Sequence, residues 1–283
     1  MDNSSLMSIS PIDGRYHSQT QDLSQFLSED AIIKYRIWVE IEYFIALCEL
    51  PLPQLKGFDK NLYDKLRLLY QDFTIKDAQE VKDIEKVTNH DVKAVEYYIK
   101  DRLKYLNLDK YLEFIHFGLT SQDINNTAFP AAFRDAVNEV YYPLLNSVIT
   151  DLELKVAEWE EVPMLARTHG QPASPTRLGK EIAVFVERLV KQRELLKITP
   201  ASGKFGGATG NFNAHFAAYP DIDWVTFANN FVHDVLKLER LQTTTQISHY
   251  DDMATVFDNL SRINVILIDF CRDMWTYISM DYF

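Results

Sequence analysis

Asp251-Asp252-Met253-Ala254-Thr255-Val256-Phe257-Asp258-Asn259-Leu260-Ser261-Arg262-Ile263-Asn264-Val265-Ile266-Leu267-Ile268-Asp269-Phe270-Cys271-Arg272-Asp273-Met274 decides the fold class. Met253, Val256, Phe257, Leu260, Ile263, Leu267, Phe270 and Met274 recur at steps of three and four, which lays them on one face of an α-helix. No glycine or proline interrupts that stripe before Phe283. A helix of this length exceeds the ordinary globular helix of about 11–12 residues and needs long partners.

Such partners are legible upstream. Ser28 is placed to cap a helix with Ile32, Ile33, Trp38, Ile41, Phe44, Ile45 and Cys48 on one stripe, ended by Pro51 and Pro53. Further helices are predicted over about 59–70, from Thr74 to about Lys86, and from the break Thr88-Asn89-His90-Asp91 through Val92, Val95, Tyr98, Ile99 and Leu103. Thr120-Ser121-Gln122-Asp123 offers a capping box, opening a mostly helical stretch to about Glu161 with kinks at Pro130 and Pro143. Ser174-Pro175 reads as an N-cap followed by proline at the first helical position, ahead of Leu178, Ile182, Phe185, Leu189 and Leu196. A glycine-rich connector spans Ser202 to Asn213. Strand signal is poor, and Leu241 to Ile247 is its best candidate. The fold class is all-α, with a smaller N-terminal helical domain over 1–111 and a central long-helix bundle over 112–283.

Composition narrows the function. With 29 basic against 41 acidic residues, the net charge of -12 repels nucleic-acid backbones, though a local basic pocket can still take a small anion. Cys48 and Cys271 are too few to staple 283 residues, which fits a reducing, cytoplasmic setting. Met1 to Pro11 lacks the basic and apolar regions of a leader. Val265 to Phe270 is too short an apolar run to cross a bilayer. The seven histidines show no short metal-ligand spacing, so no metal site is expected.

The chemistry-bearing segment is Ala166-Arg167-Thr168-His169-Gly170-Gln171-Pro172-Ala173-Ser174-Pro175. It sets an imidazole, able to exchange protons near neutrality, in a polar turn between helices. Arg167, Thr168 and Gln171 supply donors, and Gly170 lets backbone approach a ligand. A structural turn residue is the other reading of a lone histidine. Thr88-Asn89-His90-Asp91 and Thr120-Ser121 each sit at a helix start, where free N–H groups favour phosphate or carboxylate; plain capping explains the same residues. Arg15, in Asp13-Gly14-Arg15-Tyr16, could grip a phosphate with two N–H groups or lie in an exposed loop. Gly203-Lys204-Phe205-Gly206-Gly207-Ala208-Thr209-Gly210 matches neither the P-loop nor the dinucleotide fingerprint, and reads as a flexible loop that approaches a ligand.

Taken together, several segments resemble the adenylosuccinate lyases of the fumarase/aspartase superfamily, bacterial type. They are Ser10-Pro11-Ile12-Asp13-Gly14-Arg15-Tyr16, Thr88 to Glu96, Phe117 to Asn126, the His169 segment, Gly210-Asn211-Phe212-Asn213-Ala214-His215 and Thr244-Thr245-Gln246-Ile247. The resemblance implies a homotetrameric all-α enzyme, without cofactor or metal. It implies elimination of fumarate from adenylosuccinate, giving AMP, and from the succinyl-carboxamide imidazole ribotide of purine synthesis. It makes His169 the general acid. It assigns Arg15 and Tyr16 to the nucleotide and its phosphate, and Asn89, His90 and Asp91 to the same pocket. Thr120 and Ser121 take a succinyl carboxylate, and Gln246 adds an amide contact. The family's base is a serine in a Ser-Ser-x-Met-Pro-x-Lys-x-Asn loop, and no such motif occurs in these 283 residues. The expectation is therefore a truncated chain, lacking that loop and a C-terminal domain, inactive by itself and prone to self-association. The alternatives are another fumarate-releasing lyase of the argininosuccinate type and a non-catalytic helical assembly protein.

Overall fold

A computed structural model describes residues 7–282. The leader reading falls partly on residues 1–6, outside the described residues. The chain packs as two compact units, one from residues up to Val137 with Ala201–His249, the other from Asn138–Pro200 with Tyr250 onward.

The first unit is built on α1 (Glu29–Cys48). Ser28 caps it by accepting Ala31 N–H at 3.4 Å, and Glu29 and Asp30 suit the positive end of its dipole. The stripe read from sequence is too narrow. Ile33, Ile37, Val39, Ile41, Tyr43, Phe44 and Leu47 are all buried, so α1 is enclosed nearly all round and acts as the central post. Each fully buried side chain of this size contributes about 1.5–3 kcal/mol. Around it lie α2 (Tyr63–Gln71), α3 (Ile75–Thr88), α4 (Asp91–Tyr105) and α5 (Ser121–Ala136). Capping boxes open α3 through Thr74 and Asp77, and α5 through Thr120 and Asp123. Residues 112–137 thus pack with the N-terminal helices. The unit is completed by α8 (Asn213–Ala218) and α9 (Trp224–Asn230).

The second unit holds α6 (Tyr142–Glu158), α7 (Leu178–Ile198) and α10 (Asp251–Ser279). At 29 residues, α10 runs about 43 Å. It packs on α7 through Phe185 and Phe270, 5.4 Å between ring centroids, and through Arg188 and Asp269 at 3.2 Å. Gly179 brings α7 against the end of α6; a Cβ there would lie 2.5 Å from the Val156 carbonyl. The expected kink at Pro143 falls just after a single π turn, Val137–Tyr141, with Pro143 in the first turn of α6.

Two expectations are corrected. Ser174-Pro175 does not begin a helix. Pro163–Thr168 (β1) and Gln171–Arg177 (β2) form an antiparallel hairpin, and α7 starts only at Leu178. Thr168 pairs directly with Gln171, leaving His169 (φ +50) and Gly170 (φ +75) as a two-residue loop. Two positive φ values are the geometry that matches the twist of a hairpin. Leu241 to Ile247 is not a strand. The pairing nearby is a two-residue parallel ladder of Ser202-Gly203 with Glu239-Arg240. Downstream, Ser248 N–H goes to the Asn126 side chain at 2.7 Å rather than to a neighbouring strand. Among the described residues, no helix is long and apolar enough to cross a membrane.

Candidate active site

Two polar helix starts in the first unit are tied together by one side chain that the sequence reading missed. Arg36 of α1 meets Asp91 at 2.7 Å and donates through Nε to Asn125 Oδ1 at 2.9 Å. The start of α4 and the first turns of α5 therefore share a brace. The available signal was a cation among the apolar neighbours Ile32, Ile33 and Val39, three and four positions away on the helix. Asn89 ends α3 at φ +51, and His90 caps α4 by accepting Lys93 N–H on Nδ1 at 3.2 Å. That cap leaves Nε2 of His90 for other partners.

Thr120 and Ser121 are fixed by the turn before them. Thr120 N–H donates to Asp123 Oδ2 at 2.8 Å. Tyr43 OH donates to the Phe117 carbonyl at 2.8 Å. Gly118 (φ +69) lies against the buried His215 ring, where a Cβ would come within 2.6 Å. His116 pairs with Glu40 at 2.5 Å, and the other Glu40 oxygen is buried without a partner. Burial opposes charge on His116, but the Glu40, Glu96 and Asp123 carboxylates outweigh it and raise its pKa.

Because the Tyr43 proton goes to Phe117, its oxygen accepts from His215 Nε2 at 2.9 Å, which makes His215 the Nε2–H tautomer with a bare, buried Nδ1. Burial lowers the His215 pKa to about 4, against a smaller opposing pull from Asp123. Between pH 6.5 and 4 the unfolded chain takes up a proton that the native chain refuses. The contribution of His215 is whole above pH 6.5 and drains by about 3 kcal/mol as pH falls to 4. His116 acts in the opposite sense, stabilising at low pH and losing that as pH rises through its folded value. Nitrogen-15 spectra are expected to show His215 still neutral and Nε2-protonated at pH 5; titration near 6.5 would contradict the burial argument.

The remaining candidates lie on other segments of the chain. Arg15 stacks over its neighbour Tyr16 at 5.6 Å, on an exposed turn whose hydrogen bonds run within residues 8–20. Gln246 is exposed, but its strand of chain is held by Gly210, whose Cα faces Thr244 so closely that a Cβ would lie 2.5 Å from that carbonyl. His169 belongs to the second unit, exposed at the hairpin tip. There Arg167 donates to the Gly170 carbonyl at 3.3 Å, and Tyr282 OH donates to the Leu165 carbonyl at 2.7 Å. The structure thus joins Asp91 to the Thr120 helix through Arg36, and sets Arg15, Gln246 and His169 on separate segments.

Taken each by itself, an exposed imidazole is a residue type suited to acid–base chemistry, and a polar helix start is suited to an anion. A sequence model of a family described simply as lyase matches residues 14–283, and the chain belongs to that lyase family. Its relatives are more particular. It is 54% identical to the adenylosuccinate lyase of Dictyostelium discoideum over 98% of this chain and 61% of that one. Identity to the enzyme of the same name from Legionella pneumophila (strain Corby) is 43%, over 98% and 61%. For Escherichia coli (strain K12) it is 39%, over 100% and 62%. The chain thus spans about three fifths of the curated relatives it matches. Among solved structures, a fumarate lyase from Mesorhizobium sp. BNC1 aligns with a TM-score of 0.73 at 18% identity, over 91% of this chain and 57% of that one. The 3-carboxy-cis,cis-muconate lactonizing enzyme of Pseudomonas putida aligns with a TM-score of 0.70 at 17% identity, over 89% and 55%. These two establish the fold.

Proposed function

We propose that this sequence supplies the larger part of an adenylosuccinate lyase, releasing fumarate from adenylosuccinate and from the succinyl-carboxamide imidazole ribotide. The observation that carries the reading is the 54% identity to an adenylosuccinate lyase over 98% of the chain. Removing the proton beside a succinyl carboxylate builds a dianionic aci-carboxylate, which needs donors already aimed at the developing charge. Thr120 and Ser121 offer hydroxyls, and Ser121 a helix-start N–H, for it. As the C–N bond breaks, the electron pair stays on nitrogen and His169 delivers the proton. Arg15, Tyr16, Asn89, His90 and Asp91 hold the nucleotide, and Gln246 adds its amide. The base is a serine outside these 283 residues.

In a form that carries the serine loop, adenylosuccinate is expected to yield fumarate and argininosuccinate none. The reverse preference would overturn the assignment.

The working assembly is a cytoplasmic homotetramer. Its support is the apolar surface on the second unit: Leu144, Leu154, Leu195, Ile268, Trp275 and Ile278 are all exposed, on helices whose other faces already form a core. Sedimentation of the purified chain is expected to give a mass above that of one copy. A stable monomer at micromolar concentration would count against it.

A further inference from the structure

The glycine-rich segment does not behave as a loop awaiting a ligand, because it already holds one of the protein's own. We infer that Lys204, Gly206 and Gly207 form an internal anion cradle whose resident is the Asp123 carboxylate, and that Asp123 is the positioning residue for the Thr120–Ser121 helix start. The second half rests on the reading of that helix start as a carboxylate site; the first half does not.

Asp123 and Lys204 are both fully buried. Asp123 Oδ1 accepts from Lys204 Nζ at 2.7 Å, Gly206 N–H at 2.8 Å and Gly207 N–H at 3.2 Å. Its Oδ2 accepts Gly207 N–H at 3.1 Å and Thr120 N–H at 2.8 Å. Successive backbone N–H groups converging on one anion make a nest, and a capping residue does not need one. The glycines are obligatory. Gly207 has φ +79, and a Cβ on Gly206 would lie within 3.0 Å of Gly210 backbone. Lys204 also donates to the Gly207 carbonyl at 2.5 Å. Arg240 holds the loop from another direction, donating to the Phe205 carbonyl at 2.8 Å. One buried carboxylate therefore sits among two buried cations and two aimed N–H groups, and its second oxygen reaches the residue that opens α5.

Asp123→Ala keeps Cβ and leaves a void the size of formate. The variant of the 283-residue chain is expected to melt lower than wild type, and sodium formate is expected to recover at least half of the lost Tm. Sodium chloride at equal ionic strength recovers none, and wild type is indifferent to both. Equal effects of formate and chloride overturn the cradle. If Asp123→Ala does not fold, wild-type amide exchange decides: Gly206 and Gly207 are expected to be protected, and exchange as fast as exposed Ala208 and Thr209 overturns it.

Positioning is read separately with Asp123→Asn. Fumarate affinity is expected to fall about tenfold or more while AMP affinity moves less than about twofold. Parallel loss of both shows a merely structural role and overturns the positioning claim. If wild type binds no fumarate, the Thr120–Ser121 reading and the positioning claim fall together, and the formate experiment still judges the cradle.

Discussion

The 283-residue chain, given adenylosuccinate, is expected to release fumarate no faster than the uncatalysed reaction. In the proposed assignment His169 is the acid, and these residues contain no Ser-Ser-x-Met-Pro-x-Lys-x-Asn loop to supply the base. A positioned acid or base each contributes typically 10²–10⁴-fold, and two groups acting on one elimination fail together. Joined to a segment carrying the serine loop, the chain is expected to gain activity. In that joined protein His169→Gln is expected to lower kcat by about 10²–10⁴-fold with a much smaller change in KM. Steady fumarate release by the 283 residues alone would mean that a group within them takes the proton.

Trp224→Ala is expected to cost about 3–5 kcal/mol, the range for a fully buried tryptophan, read from the urea midpoint of the chain. Trp224 is completely buried, donates to the Tyr219 carbonyl at 3.0 Å, and packs 4.8 Å from the His215 ring and 5.6 Å from Phe227. Its removal opens the space under His215, on which Gly118 and the turn into Thr120 rest. The His215 pKa is therefore expected to rise from about 4 toward its ordinary value as water enters. Loss of stability with no movement of that pKa would show that the cavity collapses and stays dry.

The helices were legible because their signals are local. Thr120 and Asp123 lie three residues apart and their box closes as read, and the helix expected from Thr74 opens with a second box, to Asp77. The stripe from Met253 to Met274 needed only periodicity. The hairpin was missed because Ser174-Pro175 imitates a helix start, while its true marker is the two-residue His169-Gly170 turn. Strand pairing across that turn depends on register, which periodicity in a short polar run does not encode. The Leu241–Ile247 error has a related origin: threonines raise strand propensity, but no partner strand is available there, and Asn126 takes the Ser248 N–H instead.

At the site, residue types were legible and their partners were not. Asp123 was visible as a cap, yet nothing in the sequence near it announces Lys204, 81 positions away. Arg36 joins Asp91 and Asn125 from a third helix, a relation that exists only once α1 is buried. The glycines were read as making room for a ligand, and in the fold they make room for the protein itself.

The proline that disguised the hairpin, Pro175, is one of three that protect it. A two-stranded ribbon has two open edges, and each free N–H there invites another chain to add a strand. Pro163, Pro172 and Pro175 have no N–H to offer, so they interrupt the edges on both strands of the ribbon. A hairpin with an imidazole at its tip is thereby kept from being absorbed into a larger sheet. Replacing these prolines would leave His169 untouched and make the hairpin adhesive, so the hazard of such variants is aggregation.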